Sequence, residues 1–215
     1  MEIWSLGHSG FRLRGKEVTL VLDPPAAGYG SSLKGISADI VCITHDHPGH
    51  NNVAGLGGTP YVVHGPGEYE VGGVLITGMR TFHDTKHGEE RGSNTIYIIH
   101  MEELLLCHLG DLGHGLNADQ QQEASGADVL MIPVGGHSTI DAKAAAELVG
   151  AIEPGFVIPM HYANSANTKG NVPLDPVEPF GAALGVPLTE PQTKLVVTRA
   201  TVPASPQIVI LTARG

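Results

Sequence analysis

Apolar positions near the start of the chain fall in short alternating runs, at residues 2–6, 11–13 and 18–22, cut by Gly7-His8-Ser9-Gly10 and Gly15-Lys16. Alternation with period two between turn residues predicts antiparallel strands. Asp23-Pro24-Pro25 closes the third, and the Gly/Ser-rich residues 26–37 read as a loop. A continuous apolar run at 40–43 predicts a short buried strand. Residues 51–58 are small and turn-rich, with room for one short helical segment. Strands are predicted at 60–64, 79–82 and 94–100 and from 104 onward, and residues 65–76 alternate and turn like a hairpin. Beyond residue 116 helix and strand alternate, with helices over 117–124, 139–152 and 173–184 and strands over 128–133 and 156–159. The second helix is Ala-rich and is stopped by Glu153-Pro154-Gly155. Two tail strands are predicted at 194–198 and 207–212. No shift of composition marks a boundary, so residues 1–215 are expected to form one α/β domain with many antiparallel strands.

Composition narrows the class. With 41% hydrophobic residues, 16% charged residues and 29 glycines, the chain suits a compact, loop-rich enzyme and not a disordered or coiled-coil protein. The formal charge is −10, and the 12 basic residues never cluster. A surface that tracks phosphates needs a Lys/Arg stripe, so nucleic acid is not the expected partner. Cys42 and Cys107 lie in apolar strand-like runs and read as buried free thiols. No apolar run reaches membrane length and the chain enters a strand pattern at once, so a cytoplasmic protein with a small-molecule substrate and no membrane partner is expected. Homo-oligomerisation is left open.

The chemistry concentrates after the buried run. Residues 40–51 read Ile-Val-Cys-Ile-Thr-His-Asp-His-Pro-Gly-His-Asn and place His45, His47 and His50 within six residues. On an extended segment His45 and His47 would point the same way and Asp46 the other, while Pro48-Gly49 would turn His50 back toward them. Imidazole is the commonest side-chain ligand for zinc and similar ions, and three in one turn are hard to explain as packing. His83 follows a predicted strand, Asp111 follows Gly110 at another strand exit, and His161 ends a third. Strand ends aim ligands from rigid backbone. For His8, His87 and His114 the simpler reading is a turn or surface histidine, and His108 is equally compatible with packing and with orienting Asp111. Glu68 and Glu70 read as scaffold, and His137 and Asp141 as pocket residues only.

The run Thr44-His45-x-His47-x-Gly49-His50 resembles the His-x-His-x-Asp-His signature of the metallo-β-lactamase superfamily. Gly65-Pro66-Gly67-Glu68-Tyr69-Glu70 is similar to a recurrent hairpin of its ascorbate-phosphate-lactonase-like branch of metal-dependent hydrolases. The resemblance covers nearly the whole chain and implies a four-layer αββα sandwich. It implies a divalent ion on His45, His47 and His83 with Asp111 as fourth or bridging ligand, and a second on His50, His161 and Asp111. Asp111 and His161 are its candidate catalytic residues. One departure matters: the aspartate of the signature falls at Gly49, which has no side chain to coordinate with.

The expectation is therefore a metal-dependent hydrolase with one firm ion and a second that is partial or absent, unless His8, His108 or His114 compensates. Zinc is the first choice, with Mn, Fe and Ni also compatible with such ligands. A bound ion lowers the pKa of water from ~15.7 to about 7, for attack on an ester, lactone, amide or phosphoester. The alternatives are a metal- or ligand-binding protein that has lost turnover and, less favoured by the acidic balance, a nuclease.

Overall fold

The computed structural model describes residues 1–164 and 173–213. Among the described residues thirteen strands form two sheets. The first sheet contains β1 (Glu2–Gly7), β2 (Gly10–Arg14), β3 (Thr19–Leu22), β4 (Ile40–Ile43), β5 (Tyr61–His64) and β12 (Leu195–Val196), in the order β12-β1-β2-β3-β4-β5. It is antiparallel up to β3 and parallel from β3 to β5. The second contains β6 (Gly67–Val71), β7 (Val74–Phe82), β8 (Ser93–Met101), β9 (Leu104–His108), β10 (Val129–Pro133), β11 (Phe156–Met160) and β13 (Gln207–Ile208). Its order is β13-β11-β10-β9-β8-β7-β6, with the meander β6–β9 antiparallel and the strands from β9 to β13 parallel.

The sheets pack face to face. Alternation along β4 sends Ile40 and Cys42 into the core between them, where Phe11, Leu13, Leu20 and Leu22 meet Ile76, Tyr97, Ile99, Leu106, Met131 and Ile158. Val41 and Ile43 point to the other face of the first sheet, under Leu33, Ile36 and Ala38. That face is covered by the 26–39 loop and a single 3₁₀ turn, Val53–Gly55. The outer face of the second sheet buries Leu130, Ile132 and Val157 under α1 (Ala118–Ala124), α2 (Ala142–Ile152) and α3 (Glu178–Leu184). The layering is consistent with an αββα sandwich whose first outer layer is reduced to that loop and turn. Among the described residues no helix is long and apolar enough to cross a membrane.

Several predicted boundaries move for local reasons. The second helix begins at Ala142, because residues 136–140 form a glycine turn and Asp141 caps the helix by accepting from the Ala144 amide at 2.8 Å. The third is reduced to Glu178–Leu184, since Pro173 and Pro176 disfavour helix before it. The hairpin's second strand continues unbroken through Met79, so two predicted strands are one, β7. The tail strands shrink to two residues each.

A tyrosine helps tie the sheets near the site. The hydroxyl of fully buried Tyr97, on β8, donates to the Ile43 carbonyl at 2.7 Å across the interface. Immediately beyond Ile43 the chain enters the histidine turn.

Candidate metal centre

Five strand ends converge at one edge of the sandwich. The loop after β4 carries His45, His47 and His50; β7 ends in His83; β9 leads to Asp111; and β11 delivers His161. The β1–β2 turn adds His8. Asp111 is the focus. Its Oδ2 lies 3.2 Å from His50 Nε2, 3.2 Å from His161 Nε2, 3.3 Å from His83 Nε2 and 3.9 Å from His45 Nε2. His47 belongs to the same constellation: His45, His47 and His50 each offer a ligand atom within 4.8 Å of the others. All six residues expected as ligands are thus brought together.

Local backbone differs from expectation. Residues 44–50 are not extended but form successive turns, with the His50 and Asn51 amides donating to the His47 carbonyl at 2.8 and 3.1 Å. The rings of His45 and His47 still stack, 6.0 Å apart and 16° from parallel. Asp46 points out to solvent and accepts from Asn51.

The geometry suits a cation. His50 Nδ1 donates to Asp23 at 2.9 Å and His83 Nδ1 to the Ser138 carbonyl at 2.8 Å. The Thr44 hydroxyl donates to Asp23 at 2.8 Å and so accepts from His45 Nδ1 at 3.0 Å. In each neutral ring that leaves the Nε2 lone pair aimed at Asp111. The Nε2 atoms of His45 and His50 are buried without a hydrogen bond of proper geometry, as is His161 Nδ1. Buried nitrogens are ordinarily satisfied, so two orphaned Nε2 atoms beside one carboxylate mark a ligand cradle.

Electrostatics agree. Burial alone would lower His50, but Asp111 and Asp23 outweigh it and push the imidazole up to about 10. Burial would raise Asp111, yet His161 and His50 beside it hold the carboxyl well below the usual carboxylate range. The centre therefore stabilises positive charge. Burial and the neighbouring His50 push His45 down to about 3, and burial also lowers His47. His8 is held well below its ordinary value by burial and by His161, so its ring is neutral.

Sequence reasoning missed three supporting residues. Asp23, read as a strand-closing turn residue, is fully buried and accepts from the Thr44 amide at 2.8 Å, the Thr44 hydroxyl, His50 and His108. Asn94 fixes Asp111: its Oδ1 accepts from the Asp111 amide at 3.1 Å and its amide group donates to Thr81 and to the Leu109 carbonyl. Ser9 donates to Asp111 Oδ1 at 3.1 Å. The one available signal was placement, since Asp23 and Asn94 both sit at ends of apolar runs, where a lone polar side chain faces the site.

The other histidines separate. His108 serves Asp23 through Nε2 at 3.0 Å and packs on Phe11, so it does not orient Asp111. His114 donates to the Gly115 carbonyl and accepts from the Phe82 amide, a purely structural role. His137 pairs with Asp175 at 3.3 Å on the surface and His87 packs on Phe82. Glu68 and Glu70 are exposed on β6. Three of the non-glycine residues with left-handed backbone sit at the centre, His8, Asp23 and His161, with φ of +53°, +43° and +51°.

A cavity of about 560 Å³ opens beside the centre, bordered by His8, Ser31, Tyr162, Asn164 and Glu178. Among its described lining residues Glu178 is the one with a full charge, and none is Lys or Arg.

Residues 2–161 match the beta-lactamase superfamily domain. Among solved structures, the chain is similar to a Thermotoga maritima protein described as a candidate Zn-dependent hydrolase of the metallo-β-lactamase superfamily. That likeness has 31% identity, covers 98% of this chain and 97% of the other, and gives a TM-score of 0.80. A protein from Thermoplasma acidophilum named as a metal-dependent hydrolase is 29% identical over 85% of this chain and 90% of its own length. One so named from Pyrococcus horikoshii is 27% identical, over 80% and 88%.

Proposed function

The chain belongs to the metallo-β-lactamase superfamily, and on that premise we propose that it is a metal-dependent hydrolase of a small molecule. The observation that carries the reading is the convergence of four imidazole Nε2 atoms on Asp111 Oδ2. Relatives named as metal-dependent hydrolases support it. His45, His47 and His83 would hold one ion, with Asp111 as fourth or shared ligand. His50, His161 and Asp111 face a second position, altered by Gly49. Zinc suits this set of imidazoles and one carboxylate, and Mn, Fe or Ni could replace it.

When bound, a divalent ion supplies Lewis acidity, lowering the pKa of a water from ~15.7 to about 7 and polarising the oxygen of the scissile group. The chain's own residues prepare for that. Asp23 and the Ser138 carbonyl lock the tautomers of His50 and His83, and Thr44 locks that of His45. Ser9 and Asn94 hold Asp111 from its outer oxygen and its amide, so the inner oxygen stays at the focus. The adjacent cavity has room for a small substrate. The overall charge of −10 argues against a nuclease.

Both cysteines are buried free thiols, Cys107 pushed up to about 12 by burial, which fits the reducing cytoplasm we assign to the protein. A panel of p-nitrophenyl esters, lactones and phosphodiesters with added Zn or Mn tests the activity. Turnover that disappears in His45→Ala supports the hydrolase. Silence across the panel, with metal bound, favours a protein that holds a metal or ligand without turnover.

A further inference from the structure

Gly49 poses a question of space as well as of missing chemistry. A Cβ built on it would lie 2.9 Å from His8 Cδ2, 3.2 Å from His8 Nε2 and 3.1 Å from His47 Nδ1. The volume a side chain at 49 would enter is already taken by the His8 ring. A side chain at 49 would require the His8 ring to move.

The ring is also in the right company. Its centroid is 4.4 Å from that of His161 and 5.2 Å from that of His50. His8, His50 and Asp111 each offer a ligand atom within 4.8 Å of the others. His8 Nδ1 is shut away from solvent without a hydrogen-bond partner. The turn that carries it is bound to the centre at two more points: the His161 amide donates to the His8 carbonyl at 3.2 Å, and Ser9 donates to Asp111. The other two histidines that could compensate for Gly49 are occupied elsewhere, His108 on Asp23 and His114 on backbone groups.

We infer that His8 replaces the missing aspartate, completing a second cation position with His50, Asp111 and His161. The inference rests on the metal-centre reading above. It replaces the expectation of a weak second ion with that of a four-ligand site in which an imidazole stands for a carboxylate. Such a site carries one negative charge less than the ordinary one, which favours ions that accept nitrogen, such as Zn or Co, over oxygen-seeking Mg or Mn.

The test counts ions. Full-length protein stripped with chelator is titrated with Zn(II) by calorimetry and its bound metal counted after gel filtration; Co(II) absorption reports ligand geometry. The parent should take two ions. His8→Gly, which suits the left-handed backbone without strain, should keep one ion and bind the second at least about tenfold more weakly. Gly49→Asp alone should gain nothing, because the new side chain meets the His8 ring. His8→Gly with Gly49→Asp should recover two ions, and this rescue separates ligand loss from misfolding. Two ions at parental affinity in His8→Gly, or a single ion in the parent, would overturn the inference while leaving the hydrolase reading intact. A parent that binds no ion at all would remove that reading too.

Discussion

Asp23→Asn tests the hidden support of the centre. The substitution is isosteric and changes charge and one donor–acceptor pattern. The carboxylate accepts from four donors: the Thr44 amide on Oδ1, and the Thr44 hydroxyl, His50 and His108 on Oδ2. An amide has one accepting oxygen. Turned either way, its NH₂ faces at least one buried N–H or O–H with nothing to receive it. A lost hydrogen bond to a charged group is worth about 1.5–3 kcal/mol and a stranded buried donor costs about 1–3 kcal/mol. Because the site is fully buried, little water relieves the loss, and roughly 3 kcal/mol of destabilisation is expected. For a chain of this size that corresponds to a melting temperature lower by about 6–12 °C. Freed of Asp23, His50 also loses the partner that fixes its ring, so metal affinity should fall by roughly 10–100-fold. Thermal unfolding followed by circular dichroism, with a chelator-competition titration for metal, reads both quantities. Melting within 2 °C of the parent (well under the ~6 °C floor) together with unchanged affinity would refute the argument.

Tyr97→Phe should cost about 1–2 kcal/mol in urea unfolding, since it strands the Ile43 carbonyl at the sheet interface; a smaller loss than about 0.5 kcal/mol would show that this bond adds nothing. Gly110→Ala should destabilise by about 1–3 kcal/mol and weaken metal binding. Its Cβ would meet Asn94 Oδ1 at 2.5 Å and Thr44 Cγ2 at 2.7 Å on a left-handed backbone, and an unchanged urea midpoint would contradict this. Asp84 carries a pH prediction. Burial would raise its carboxyl, but the amides of Arg91, Gly88, Lys86 and Glu90 outweigh it and hold the group at about 2. Its folded pKa lies below the unfolded value, so its contribution is complete above roughly pH 4 and is lost as pH falls through about 2. Protection of the Gly88 and Arg91 amides, taken relative to intrinsic exchange at each pH, should fall across that window, and in Asp84→Asn it should already be low at neutral pH.

Much of the site was legible because its ligands follow apolar runs. Strand ends could be located from alternation, and histidines at three of them, with Asp111 at a fourth, could be matched to the superfamily signature. The fold class followed from the same alternation and the later helix–strand pattern. What stayed hidden depends on distances between residues remote in sequence. Asp23 looks like any Asp before two prolines until folding sets it against His50 and His108. His8 looks like a turn histidine until the β1–β2 turn is docked against Gly49, and no local pattern reports that approach. The glycine at 49 read as a deletion because sequence shows what a residue lacks, not which neighbour has entered the space.

The centre is assembled across most of the chain's length, from His8 in the first hairpin to His161 after β11. A nascent chain emerging from the ribosome cannot present the whole set until His161 has been made, when both sheets are nearly complete. Before that, the loop at 45–50 is the earliest stretch with several imidazoles to offer a cation. Loading of the finished constellation must therefore follow or accompany the docking of one sheet on the other, and an ion gained at that moment would act as a latch on the last tertiary step of maturation.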